Sequence, residues 1–68
     1  MKVNNMTNLY VGHNEEEDFK ILICSCEGIY GAERLAEGYR LDSGMYGKFK
    51  IYEFSDINES FDCDYVII

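Results

Sequence analysis

Three cysteines and one histidine, Cys24, Cys26, Cys63 and His13, are the residues of this 68-residue chain whose types promise the most specific chemistry. Zinc would need four such ligands converging at about 2.0–2.3 Å. Cys24 and Cys26 stand two apart in FKILICSC, a strand by pattern, so both thiols face one side. The spacing matches none of the common CxxC knuckles. With Leu9 paired to Ile21 in the hairpin derived below, Cys24 lies opposite Met6. His13 is then seven residues further along, roughly 23 Å at strand rise, and cannot join the thiols. Buried or idle thiols are the plainer reading.

Redox catalysis has as little support: CSC is not CxxC, and no Lys, Arg or His lies nearby in sequence to activate a thiolate. An odd number of cysteines with no secretory context reads as reduced thiols in a cytosol. A general base at His13 would need a nucleophile and an orienting acid. Beside EEED it reads instead as a solvated turn residue. GIYG, residues 28–31, carries neither a phosphate-loop fingerprint nor a basic residue. The chain therefore reads as a non-enzyme, with no cofactor and no metal ligand.

What is left is charge and aromatic surface. A formal net charge of −7 argues against binding nucleic acid or anionic membranes directly, and for a basic partner surface. The carboxylates fall in two groups: Glu15, Glu16, Glu17 and Asp18, and then Asp56, Glu59, Asp62 and Asp64. Either group can be plain solvated loop, or a recognition surface for Arg and Lys. The aromatic candidates for partner anchors are Tyr10, Tyr46, Tyr52 and Phe54.

These residues need elements to hold them. TNLYVG alternates with Leu9 and Val11 on one face, and FKILICSC with Phe19, Ile21 and Ile23. His13–Asp18 is read as a polar turn between them. Pairing Val11 with Phe19 and Leu9 with Ile21 puts all five large apolar residues on one face of a hairpin; a slip of one would part Leu9 and Val11 from the rest. In GIYGAERLAEGYRL, residues 28–41, Ala32, Leu35, Ala36 and Tyr39 recur at i, i+3, i+4 and i+7, the apolar stripe of an amphipathic helix. Ser25 or Gly28 is expected to cap its start and Gly44 to end it. KFKIYEF, residues 48–54, reads as a strand with Phe49 and Ile51 inward. YVII, apolar on both faces, suits a short strand paired inside the sheet.

The expected fold is α+β: a small antiparallel sheet in ββαββ order with one amphipathic helix packed on one face, in a single domain over residues 1–68. Leu9, Val11, Phe19, Ile21, Ile23, Phe49 and Ile51 would meet the helix through Leu35 and Tyr39. The same alternation turns Tyr10, Leu22, Cys24, Tyr52 and Phe54 outward, an apolar outer face that would take a partner or a second copy as a homodimer, or equally be covered by the N-terminal segment. An interaction module could also pair through an exposed strand edge. MKVNNMTNLY lacks the apolar core of a signal peptide, and no run approaches transmembrane length, so a cytoplasmic location is expected.

With strand, helix and strand placed, FKILICSCEGIYGAERLAEGYR…GKFKIYEF resembles small phage-encoded proteins in which a strand leads into an A-x-x-x-A helix and back into a strand, several anti-CRISPR inhibitors among them. Ala32 and Ala36, with Phe49 and Ile51, are the matching positions, and the likeness covers about half the chain. It implies a stand-alone inhibitor, in the host cell cytosol, of a host defence complex: a CRISPR effector first, a restriction enzyme second. Such an inhibitor occupies a basic channel meant for nucleic acid, its carboxylates standing in for phosphates as a DNA mimic.

Overall fold

The computed structural model describes residues 8–54 and 62–67. Four strands and one helix follow in the order expected: β1 (Asn8–Asn14), β2 (Phe19–Ser25), α1 (Gly28–Ser43), β3 (Phe49–Glu53) and β4 (Tyr65–Ile67). The fold is α+β, with the helix packed against a four-stranded sheet of order β3-β1-β2-β4. β1 runs antiparallel to both β2 and β3, whereas β2 and β4 are parallel, so the sheet is mixed rather than purely antiparallel. β4 lies at an edge, not inside. A three-residue apolar run carries no sign of which position it takes.

The hairpin register differs from the expected one, and by an odd number of residues. Asn14 faces Phe19, Gly12 faces Ile21 and Tyr10 faces Ile23, so the turn is only Glu15–Asp18. Because side chains alternate, an odd shift exchanges the two faces of β1. Tyr10, Gly12 and Asn14 lie under the helix with Phe19, Ile21, Ile23, Phe49 and Ile51, while Leu9 and Val11 point away. Tyr10 is 3% exposed and belongs to the core with Ile21, Ile23, Ala32 and Ala36.

Two residues of β1 account for this choice. At Gly12 a Cβ would come within 2.9 Å of Ile21 Cγ1 and 3.2 Å of Ile51 Cδ1, so the two isoleucines close over a bare backbone. Asn14 is fully buried, and its side chain has partners for both ends: Oδ1 accepts from the backbone N–H of Glu16 and Glu17, and Nδ2 donates to the carbonyl of Tyr46. An asparagine bonding the backbone two and three residues on builds the turn itself. Asp18 closes that turn at φ +52°, a left-handed conformation that aspartate tolerates.

The helix meets the sheet through its smallest residues. Gly31, Ala32 and Ala36 are buried, whereas Leu35, expected at the centre of the contact, is 41% exposed. The stripe is thus turned away from Leu35 and brings Ile29 and Tyr39 against the core. Tyr39 gathers one ring from each of three strands: Phe19 at 6.0 Å, Phe49 at 6.4 Å and Tyr65 at 4.6 Å between centroids. Close approach is required at Gly31, where a Cβ would sit 2.6 Å from Ser25 Oγ. Ser25 is not the cap: Glu27 holds that position without a side-chain cap bond, and Ser25 Oγ instead accepts from Glu27 N–H and donates to the Gly28 carbonyl. Gly44 ends the helix as expected, in a left-handed conformation, with its N–H on Leu41 and that of Met45 on Arg40.

Candidate functional site

The acidic turn is not a free loop. Four backbone and side-chain bonds join it to the segment that follows the helix or fix it in place: the two Asn14 Oδ1 bonds, the Asn14 Nδ2 bond to Tyr46 O at 2.9 Å, and a bond from Tyr46 N–H to Glu17 Oε2 at 3.2 Å. Both backbone groups of Tyr46 are thus engaged by the hairpin, and the residue is left 72% exposed. At Gly47, φ +85°, a Cβ would lie 2.7 Å from Glu16 Cγ and 2.8 Å from Asn14 Oδ1, so the two segments touch where glycine is needed. Glu15 pairs with Lys50 at 3.6 Å and Asp18 with His13 at 3.5 Å, both at the surface.

Asp64 belongs to the same end of the sheet. Its N–H donates to the Lys20 carbonyl at 2.7 Å and its Oδ2 accepts from the Lys20 N–H at 2.9 Å, which starts the β2–β4 pairing beside the hairpin turn. Asp62 is exposed just before it. One end of the sheet therefore carries Glu15, Glu16, Glu17, Asp18, Asp62, Asp64 and the Tyr46 ring. Two sequence groups that are far apart along the chain meet there because β4 begins where β2 begins. Asp56 and Glu59 lie outside the described residues.

Basic residues share this end: Lys20, Lys48 and Lys50, with Arg40 at the close of the helix. Arg40 grips Glu37 through two bonds, Nη2 at 2.6 Å and Nε at 3.0 Å, and donates a third to the Met45 carbonyl. The hydrogen-bonded guanidinium holds the Glu37 carboxyl below its ordinary range, against some desolvation, with the Arg40 and Lys48 charges adding to the effect.

The aromatic candidates separate. Tyr46 joins the acidic end. Tyr52 is 45% exposed on the outer face of β3, opposite Val11, and Phe54 follows β3 half-buried. Tyr10 is withdrawn from any contact surface, since the register turns it into the core. On the outer face Leu9, Tyr52 and Val66 are 40%, 45% and 44% exposed, while Val11 between them is buried.

The thiols are all free. Cys24 faces Leu9, not Met6, so His13 and Cys24 share the outer face four residues apart along β2 pairing, roughly 13 Å. Cys24 and Cys26 line a surface pocket of about 400 Å3 together with Arg34, a cation that sequence proximity does not bring near them. Arg34 is already paired with Glu27 at 2.9 Å. Among the described residues no group of three or more His, Cys, Asp or Glu is placed to hold a metal ion. Nor is any described helix long and apolar enough to cross a membrane.

The described residues form a small α+β fold in which an acidic hairpin turn is bonded to the backbone of Tyr46. No protein-family model, no curated protein and no solved structure matches it.

Proposed function

We propose that the chain is a small binding protein, not an enzyme, that presents its acidic sheet end to a basic, nucleic-acid-binding surface of a host defence complex and blocks it. A phage-encoded inhibitor of a CRISPR effector is the form of this reading that follows from the sequence resemblance, with a restriction enzyme as the second target. One observation carries it: the Tyr46 backbone is bonded at both its groups to the acidic hairpin, N–H on Glu17 and carbonyl on Asn14, with the residue 72% exposed beside the Glu15–Asp18 turn. A backbone fixed before binding loses less entropy on contact, and tyrosines are common interface anchors. Carboxylates around it supply the attraction to Lys and Arg.

A second reading, an interaction module that associates through the sheet, draws on the outer face, where Leu9, Tyr52 and Val66 are each exposed by two-fifths or more. The two separate in one experiment. Purified CRISPR effectors, then restriction enzymes, are titrated with the chain at several salt concentrations. For the acidic end, Glu15→Gln, Glu16→Gln and Asp18→Asn together slow association and flatten its salt dependence, and Tyr46→Ala speeds dissociation. Binding that ignores these changes but falls with Tyr52→Ala assigns the contact to the outer face and overturns the mimic mechanism.

A further inference from the structure

β2 ends at Ser25, between two cysteines, and the helix begins at Gly28. Ser25 is 5% exposed, and its Oγ accepts from the Glu27 N–H at 3.2 Å and donates to the Gly28 carbonyl at 3.1 Å. Gly31 lets the helix come down on that hydroxyl, since a Cβ there would stand 2.6 Å from it. The backbone between the two cysteines is therefore held from the helix side. Alternation sends the side chains before and after an inward Ser25 to the other face, so the two thiols are neighbours. Both residues line one pocket of about 400 Å3, Cys26 exposed and Cys24 half-buried. Two residues at strand rise are roughly 6.6 Å apart at Cα, within the span of a disulfide, which reaches about 6.8 Å.

The third thiol, Cys63, lies out of reach. Its neighbour Asp64 is bonded to Lys20 through both N–H and carboxylate, four residues or roughly 13 Å along β2 from Cys24. Arg34 and Glu27 at the pocket are paired with each other at 2.9 Å, so they offer no spare charge to a ligand. Among the described residues no third His, Cys, Asp or Glu joins the thiols to hold a metal ion. Two adjacent thiols can still exchange with a disulfide. A bridge across so short a loop removes little freedom from the unfolded chain, so it does not serve as a staple. Exposed bridges are the labile, reversible ones.

We propose that Cys24 and Cys26 are a reversible dithiol–disulfide site that reacts with low-molecular-weight disulfides of the glutathione class. The exposed Cys26 thiolate attacks one sulfur of the incoming disulfide. The S–S bond breaks, and the thiolate released takes up the proton that Cys26 lost. The Cys24 thiolate then attacks the Cys26 sulfur of the mixed disulfide and expels the second small thiolate, protonated in turn. The protein gives up two electrons and two protons, and one small disulfide becomes two thiols. The site stands at the opposite end of β2 from the acidic turn and is independent of the binding function proposed above.

The test is to incubate the full chain with oxidised glutathione, quench with an alkylating agent and measure the masses of the products. The expected product is a single chain lighter by two hydrogens before alkylation, alkylated at Cys63 alone, and returned to the dithiol by a reducing agent. Cys24→Ser stops at a glutathione adduct on Cys26. Cys26→Ser reacts at Cys24 about tenfold more slowly than the parent reacts, because that thiol is half-buried. Cys63→Ser leaves the reaction of the parent unchanged. Circular dichroism reports the folding of each variant. Where one unfolds, tandem mass spectrometry of the oxidised parent decides alone, by locating the alkylated cysteine. A parent that stays unreacted or stops at the mixed disulfide overturns the inference. So does a bridge that includes Cys63 or joins two chains.

Discussion

The side-chain amide of Asn14 donates to the carbonyl of Tyr46 at 2.9 Å, across 32 residues of chain. It is the contact that makes an acidic turn and a post-helix segment into one surface. Asn14→Ala removes a fully buried side chain and leaves the Glu16 and Glu17 N–H groups and the Tyr46 carbonyl, all part-buried, without this partner. It should cost about 1–3 kcal/mol in urea unfolding. Asn14→Asp keeps the acceptor for the turn but loses the donor to the Tyr46 carbonyl, so the Glu16 amide should stay protected while the loosened Tyr46 segment exchanges its own N–H, bonded to Glu17, faster than in the parent.

Two glycines should respond in opposite directions to alanine. Gly12→Ala drives a methyl into Ile21 and Ile51 and should destabilise by about 1–3 kcal/mol. Gly38→Ala meets no atom within 4 Å on a helix surface and should stabilise the fold by about 0.5–1 kcal/mol. Thermal unfolding measures both. Equal responses would contradict the register that places Gly12 beneath the isoleucines.

Ile21→Ala, at a residue with no exposure, should cost about 2–5 kcal/mol, much of what a domain of this size has to lose. Leu35→Ala, on a residue 41% exposed, should cost roughly 1 kcal/mol or less. Denaturant midpoints of the two variants separate the observed helix orientation from one packed through Leu35, for which both losses would be large.

Glu37 makes stability depend on pH in a known direction. Its folded pKa lies below the ordinary 4.5, so its pairing with Arg40 contributes fully above that value and is lost as pH falls through the depressed one. Melting temperatures of the parent and Glu37→Gln should differ near neutrality and converge in acid below the ordinary glutamate range. A difference that persists there would assign the effect to packing rather than to charge.

The helix over residues 28–41 and the strands around Leu9, Ile21 and Phe49 were legible in the sequence because periodicity depends only on which residues follow one another. Gly44 as the helix stop was legible too, since a left-handed turn is a local demand. The face that β1 turns to the helix was not. Leu9 and Val11 satisfy the alternation rule, yet Tyr10, Gly12 and Asn14 occupy the inner face, because Ile21 and Ile51 need the space above Gly12 and Asn14 needs Tyr46. None of those partners is adjacent in the chain. The candidate site divides in the same way. Its acidic residues and Tyr46 can be named from composition, but only the tertiary structure joins Glu17 to Tyr46 and Asp64 to Lys20 beside the turn, and withdraws Tyr10. Local pattern specifies elements; hydrogen bonds and close contacts between distant residues decide which side of each element is used.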